Sequence, residues 1–482
     1  MGCSRVDTLA IAPMRWTKFF SYIGLSIISW FGVNACGVRS APDLPNILLV
    51  TMETTRADHL GAYGYARPTS PNFDRLAARG VLFESALTVS PRTNPSVASL
   101  MTSLYPHEHR VRSLLRPLTT DARTLAEILR GAGYRTGAIQ THHFMKSDSG
   151  LAQGFDTYED SFMGERRADE AARLAVRWIE RGSRSGRPWF LWVHMVDPHW
   201  PYEPPAQTAS LFGPADPRTL DLYRDLSQGR VSMGSVIFRN GMSPDLVQSF
   251  VNLYDGEIRF MDDALGAILA AVDVAEGRER TIVAVTSDHG EALGEHDYYF
   301  EHGDFGTTPE IHVPLAFAAP GLVPPGIRVP STVRSIDVAP TILELAGLPA
   351  ELQFRGLSML PMLRGGGGGE DRACFGEAGA SYHLENSRRE IEGADGKWRW
   401  MQRGRYKLVH IPRQSRPPIR RLYDLRNDPG ETANLLIDLR GVAVWMERDL
   451  DTWLTEGELA AGPAMRIDRV TFERLKSFDY LN

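Results

Sequence analysis

The chain has 482 residues, 43% hydrophobic and 23% charged, an ordinary globular composition with ample length for a sizeable core. A net charge of −6 supplies no basic stripe or face, which argues against nucleic acid as a partner. Three cysteines, Cys3, Cys36 and Cys374, are too few and too scattered for a disulfide framework or a zinc cluster.

At the N-terminus, Arg15 and Lys18 precede an apolar stretch from Phe19 to Phe31. That stretch is short for a membrane span and right for the hydrophobic region of an export signal. It ends in Val33-Asn34-Ala35-Cys36-Gly37, which resembles a bacterial lipobox with Cys36 as the lipidated residue. Asn34 is unusual inside such a box, so cleavage after Ala35 and an uncleaved anchor stay open. Residues 1–36 therefore read as a signal peptide of lipoprotein type. The expected location is the bacterial cell envelope, with membrane contact only through the lipid anchor.

From Pro45 onward, short apolar β-branched runs alternate with helical stretches, the pattern of an α/β domain with a mostly parallel sheet. Strands are expected at Asn46–Thr51, Thr136–Gln140, Trp189–His194, Thr281–Ser287 and Val313–Ala318. Each is a nearly continuous apolar run, as expected where helices cover both faces of a sheet. Helical periodicity marks Ser70–Arg79, Asp121–Ala132, Arg167–Arg181 and Pro244–Val272. The polar segment Gln207–Met242 reads as an insertion over the site. A catalytic domain is expected over 45–363 and a glycine-rich linker over 364–372. A small α+β subdomain is expected over 373–482, with strands at 405–410 and 421–425 and a closing helix near Gly441–Thr455.

Four segments carry chemistry. Glu53 ends the first strand, where open α/β sheets place their ligands. Thr93 opens Thr93-Asn94-Pro95-Ser96-Val97, and a helix from Ser96 to Leu104 would aim its N-terminal amides at an anion. Thr286-Ser287-Asp288-His289-Gly290-Glu291 ends another strand at the same edge, and Asp197-Pro198-His199 ends a third. Taken singly, these residues also read as strand-end acids, helix caps and core histidines. His194, on the strand itself, reads as a satisfied core histidine.

Taken together, the segments resemble the sulfatase branch of the alkaline phosphatase superfamily. Ser335-Ile336-Asp337-Val338-Ala339-Pro340-Thr341 and the run from Leu422 to Leu435 extend the resemblance over essentially the whole mature chain. The resemblance implies an alkaline-phosphatase-like fold and one divalent metal held by Glu53, Thr93, Asp288 and His289. It also implies catalytic roles for Thr93, His199 and His302, and an anionic ester substrate near Asn94, His143 and His296. It specifies no oligomeric state.

The departures from the family pattern share a direction. Thr93 stands where sulfatases have the cysteine or serine that becomes formylglycine, and threonine cannot undergo that conversion, so no formylglycine is expected. The arginine that follows the Pro-Ser pair is Val97, and two lysines are Thr141 and Glu301. An imidazole ligand at His289 favours zinc or manganese over calcium or magnesium. The set is similar to that of lipoteichoic acid synthases and phosphoethanolamine transferases, which use a threonine nucleophile. The expected activity is metal-dependent cleavage of phosphate or phosphonate esters through a covalent Thr93 intermediate. Three alternatives stand beside it: transfer of a phosphoryl-alcohol group to an envelope acceptor, sulfate-ester hydrolysis without formylglycine, and a catalytically silent envelope-tethered binding protein.

Overall fold

The computed structural model describes residues 44–460, apart from 215, 240, 276, 366–370, 380–396 and 414–415. The signal segment 1–36, Cys36 and much of the proposed linker therefore lie outside the described residues.

The strands are β1 (Asn46–Met52), β2 (Val81–Leu87), β3 (Arg135–Ile139), β4 (Thr157–Glu159), β5 (Trp189–Met195) and β6 (Thr281–Thr286). They continue with β7 (Ala292–Leu293), β8 (Tyr299–Glu301), β9 (His312–Val313), β10 (Leu315–Ala318) and β11 (Ile327–Arg334). The large sheet has the order β11-β2-β10-β6-β1-β5-β3-β4, with β9 paired to β2. β10 and β9 run against the other strands. The fold is thus mixed α/β around a mostly parallel sheet, as the alternating sequence pattern implies.

Side chains of a strand alternate between faces, and the core follows that period. Ile47 and Leu49 of β1 pack with Phe190, Trp192, Ile282 and Ala284 on one face. Leu48, Val50 and Met52 pack with Leu191, Val193, Val283 and Val285 on the other. The helix Pro244–Val274 contacts that second face along its buried residues, from Leu246 to Val272. Both faces being dry explains why the central strands read as unbroken apolar runs.

Three strands of the large sheet, β2, β4 and β11, were not visible to that criterion. β2 carries Glu84 and Ser85 mid-strand, and β11 carries Pro330 and shifts register between Val329 and Thr332. Proline donates no ladder hydrogen bond and is tolerated at such irregularities on an edge strand. The expected strand Val313–Ala318 is divided into β9 and β10 at Pro314. The helix expected at Ser96–Leu104 begins three residues earlier, at Thr93.

A second sheet, antiparallel, joins β12 (Cys374–Glu377), β13 (Arg399–Arg403), β14 (Tyr406–Ile411) and β15 (Ile419–Asp424). The helix Arg440–Ala460 packs on it, and their shared core reaches Leu87, Val89, Phe305 and Ile336 of the larger part. Lys407 of β14 is fully buried and donates to the Gly306 carbonyl at 2.8 Å and to Glu431 Oε1 at 2.9 Å. Glu377 of β12 accepts two hydrogen bonds of 2.6 Å from Arg112.

Burial alone would raise the Glu377 carboxyl, but Arg112 and Lys397 outweigh it and lower it to about 2. A carboxyl depressed on folding contributes stability that is present above its unfolded value near 4.5 and is lost as pH falls towards 2. Glu377→Gln is expected to flatten the acid limb of the stability curve in that window, removing roughly 3 kcal/mol of pH-dependent stability. Urea unfolding between pH 2 and pH 6 measures this, and an unchanged slope excludes the assignment.

Candidate active site

The strand order places the carboxyl ends of β6, β1, β5 and β3 side by side, and each delivers a candidate residue. Glu53 lies immediately after β1, and its amide donates to the Met195 carbonyl at 2.8 Å, continuing the ladder past the strand. The chain then turns through Thr54 with a φ of 49°. This left-handed turn directs the Thr54 amide to Asp288 Oδ1 and the Thr55 amide to Ser287 Oγ, each at 3.2 Å.

Thr93 is the first residue of the helix Thr93–Thr102, and the whole helix is buried. Ser96, one turn on, donates to the Asp288 carbonyl at 2.6 Å. The Thr93 hydroxyl donates to Glu53 Oε1 at 2.8 Å and lies 3.2 Å from His289 Nε2. His289 donates from Nδ1 to the Gly290 carbonyl at 2.9 Å, which leaves the lone pair on Nε2. Burial lowers the His289 imidazole to about 4, so the neutral, ligating form is the resting one.

His289 Nε2 also faces Asp288 Oδ2 at 3.3 Å, and that oxygen is buried with no hydrogen-bond partner among the described residues. Lone-pair atoms of a hydroxyl, an imidazole and two carboxylates therefore converge in a dry site. Such a convergence is costly without a positive charge among them. Glu53, Asp288 and His289 bring their ligand atoms within 4.8 Å of one another. The donor set fits a divalent cation, with Thr93 as a further oxygen.

His194 is the satisfied, buried histidine that its place on the strand implies, and one of its partners is Glu53. It lies fully buried on β5, with Nε2 2.8 Å from Glu53 Oε2 and Nδ1 2.7 Å from Thr51 Oγ1. Trp192 Nε1 donates to the same threonine oxygen at 3.0 Å. Trp192 thus directs the Thr51 proton to His194 Nδ1, and His194 in turn donates from Nε2 to Glu53. The histidine holds the Glu53 carboxylate in place within the candidate ligand cluster. The β1–β5 register, which sets Thr51 opposite His194, is the signal that places it there.

His142 was not singled out by sequence, yet it is 1% exposed and its Nδ1 lies 3.1 Å from Glu53 Oε1. Burial would raise the Glu53 carboxyl, but His142 and His194 outweigh it and hold Glu53 well below the usual carboxylate range. His302 packs its ring on His289 at 4.2 Å, with Nδ1 3.0 Å from Glu291 Oε1. His199 donates from Nδ1 to the Trp200 carbonyl at 2.7 Å, while its buried Nε2 has no hydrogen-bond partner among the described residues. The His199 ring lies 5.2 Å from that of His302 and 5.5 Å from that of His142. A cavity of about 420 Å³ opens beside them, lined by His143, Glu165, His199, Trp200, Phe300 and His302 among others. Tyr223, Leu226 and Met233 also line it, so the segment expected to cover the site does contribute a wall.

Two expected substrate contacts sit differently. Asn94 donates to the Leu114 and Phe144 carbonyls at 2.7 and 3.2 Å, so its amide braces loops around the Thr93 helix. His296 has a φ of 58° and lines separate cavities with Glu431, Thr307 and Arg56, away from the Thr93 cluster.

The sulfatase family model matches residues 45–348. The chain belongs to the sulfatase family. A second model, N-sulphoglucosamine sulphohydrolase C-terminal, matches residues 294–452. Among curated sulfatase relatives, a choline-sulfatase of Rhizobium meliloti is 27% identical over 458 residues, covering 82% of this chain and 83% of that protein. A sulfatase of Formosa agariphila is 25% identical over 418 residues, covering 76% of this chain and 82% of that protein. The phosphonate monoester hydrolase of Agrobacterium radiobacter shares the fold, with a TM-score of 0.68 at 24% identity over 86% of this chain and 96% of that one. The protein is thus an ester-bond hydrolase of the alkaline phosphatase superfamily. Among its described residues, no helix is long and apolar enough to cross a membrane.

Removing a group that orients a ligating side chain typically weakens metal affinity by about 10- to 100-fold. His194→Ala is expected to weaken zinc binding by that factor, read by calorimetric titration of the metal-free protein. Wild-type affinity in this variant would show that Glu53 is oriented without the His194 relay.

Proposed function

We propose that this sulfatase-family hydrolase cleaves phosphate or phosphonate esters through a covalent Thr93 intermediate. The observation that carries the reading is the Thr93 hydroxyl, held 2.8 Å from Glu53 and 3.2 Å from the lone pair of His289. Glu53, Thr93, Asp288 and His289 would hold one divalent cation, with zinc or manganese favoured by the imidazole. When bound, that cation supplies positive charge where the nucleophile and the transferred group are most negative.

The protein's own groups then divide the work. The Thr93 oxygen bonds to phosphorus as the bond from phosphorus to the ester oxygen breaks, and the threonine proton leaves along the hydrogen bond to Glu53 Oε1. Burial raises the Glu291 carboxyl well above its usual range, so Glu291 is protonated and donates to His302 Nδ1. His302 then carries a proton on Nε2; as that proton passes to the departing alkoxide, the Glu291 proton moves to Nδ1, so the imidazole ends the step neutral. His199 has the opposite tautomer, because its Nδ1 donates to Trp200. Its Nε2 lone pair takes the proton of the water that opens the phosphothreonine. Asn94, His143 and His296 were expected at the substrate; of these, His143 retains that role here, since it lines the cavity.

Sulfate-ester hydrolysis is the second reading, supported by relatives described as sulfatases. An envelope location rests on the N-terminal segment of the sequence, with Cys36 as the lipid attachment point.

With zinc or manganese, aryl phosphate esters are expected to be turned over faster than aryl sulfates. Thr93→Ala is expected to lower kcat by at least about 1000-fold, as loss of a nucleophile does. Mass spectrometry of acid-quenched enzyme should find phosphate on the Thr93 peptide. Turnover surviving in Thr93→Ala would remove the nucleophile assignment, and a preference for sulfates would move the chemistry to the second reading.

A further inference from the structure

Next to the Thr93 cluster, His142, His143 and Glu165 form a group of which the proposed mechanism uses only His143, as a wall of the cavity. Their ligand atoms lie within 4.8 Å of one another. Glu165 Oε1 is 3.6 Å from His142 Nε2 and 3.4 Å from His143 Nδ1. We propose that these three side chains bind a second divalent cation beside the first.

Three observations carry the inference. The first is spacing. Charge-assisted hydrogen bonds between imidazole and carboxylate close to about 2.7–2.9 Å, and neither Glu165 contact does. Ligands at about 2.0–2.1 Å from a tetrahedral cation, by contrast, stand about 3.3–3.4 Å apart. The same edge lengths recur in the first cluster, where His289 Nε2 lies 3.2 Å from Thr93 Oγ1 and 3.3 Å from Asp288 Oδ2.

The second is the environment of His142. Its ring is 1% exposed, and neither nitrogen has hydrogen-bond geometry with any partner among the described residues. Nδ1 faces Glu53 Oε1 at 3.1 Å, and Nε2 faces Glu165. A carboxylate behind one imidazole nitrogen and a cation on the other is the usual environment of a ligating histidine. Glu53 would then serve both centres, as a ligand of the first and as the orienting carboxylate of the second.

The third is charge. Glu53 and Asp288 already match a single divalent cation. The described residues lining the cavity add Glu165, Glu203 and Glu301 and include no lysine or arginine. An anionic ester would enter a site of its own sign. A second divalent cation cancels most of that negative charge, at the point where Thr141 and Glu301 have replaced the lysines of the family pattern. Two histidines and a carboxylate also leave a fourth coordination position for water or substrate. Glu165, whose side chain is 39% exposed, gives an ion a path from solvent.

The inference rests on the reading of the site as one for anionic esters, and its test is separable from that reading. Full-length protein, stripped and reloaded with zinc, is expected to retain two equivalents per chain by inductively coupled plasma mass spectrometry. The double variant His143→Ala/Glu165→Gln is expected to retain one, and Asp288→Asn is expected to lose the other while keeping the second. Cobalt(II) titration of wild type provides a readout that needs no variant: visible absorption should grow through two equivalents. One equivalent in wild type by both methods, or two in the double variant, overturns the proposal. Phosphate on Thr93 in the same samples reports separately on the nucleophile, so one-metal enzyme that still forms the adduct refutes only the second cation.

Discussion

The site depends on one buried carboxylate. Glu53 is fully enclosed at the end of the central strand, where an unpaired charge would be prohibitive. The Thr93 hydroxyl and His142 face one of its oxygens, and His194 binds the other. Each partner comes from a different part of the chain, and each is fixed by its own backbone element. The charge of Glu53 thus sets the register of three segments against β1. It also explains why a histidine with a threonine and a tryptophan behind it occupies a strand that is otherwise apolar.

Compensation for positive charge is the second theme. With Val97, Thr141 and Glu301 in place of the cationic residues of the family pattern, positive charge beside Glu53 comes from His142: burial would lower this imidazole, but Glu53 outweighs it and raises it to about 9. Burial holds His289 and His143 near 4 and His302 well below its usual value. Imidazoles in that state are ligands and proton carriers rather than counter-ions. Any further positive charge would come with bound cations, which would tie substrate binding to metal loading more closely than lysines do.

The central strands were legible in the sequence because both faces of the sheet are dry. β2 and β11 were not, since Glu84 and Ser85 interrupt the apolar run of the first and Pro330 that of the second, an edge strand. The residues placed by motifs, Glu53, Thr93, Asp288 and His289, come together as their segments imply. His142, Glu165 and the contact of His194 with Glu53 were missed because no local pattern marks them. Their proximity follows from the order β6-β1-β5-β3 and from a loop beyond β4, which are properties of topology rather than of spacing. His296 shows the converse: a histidine close in sequence to His289 and His302 that the left-handed turn carries elsewhere.

The Ser96 hydroxyl, bonded to the Asp288 carbonyl, joins two segments almost two hundred residues apart. The Thr93 helix and the Asp288 loop are joined there into one part assembled from two stretches of chain. Exchanging the Thr93 segment alone for one of a formylglycine-bearing relative would set a foreign helix against a native metal loop. A chimaera that keeps this contact would transplant 93–102 and 286–291 together.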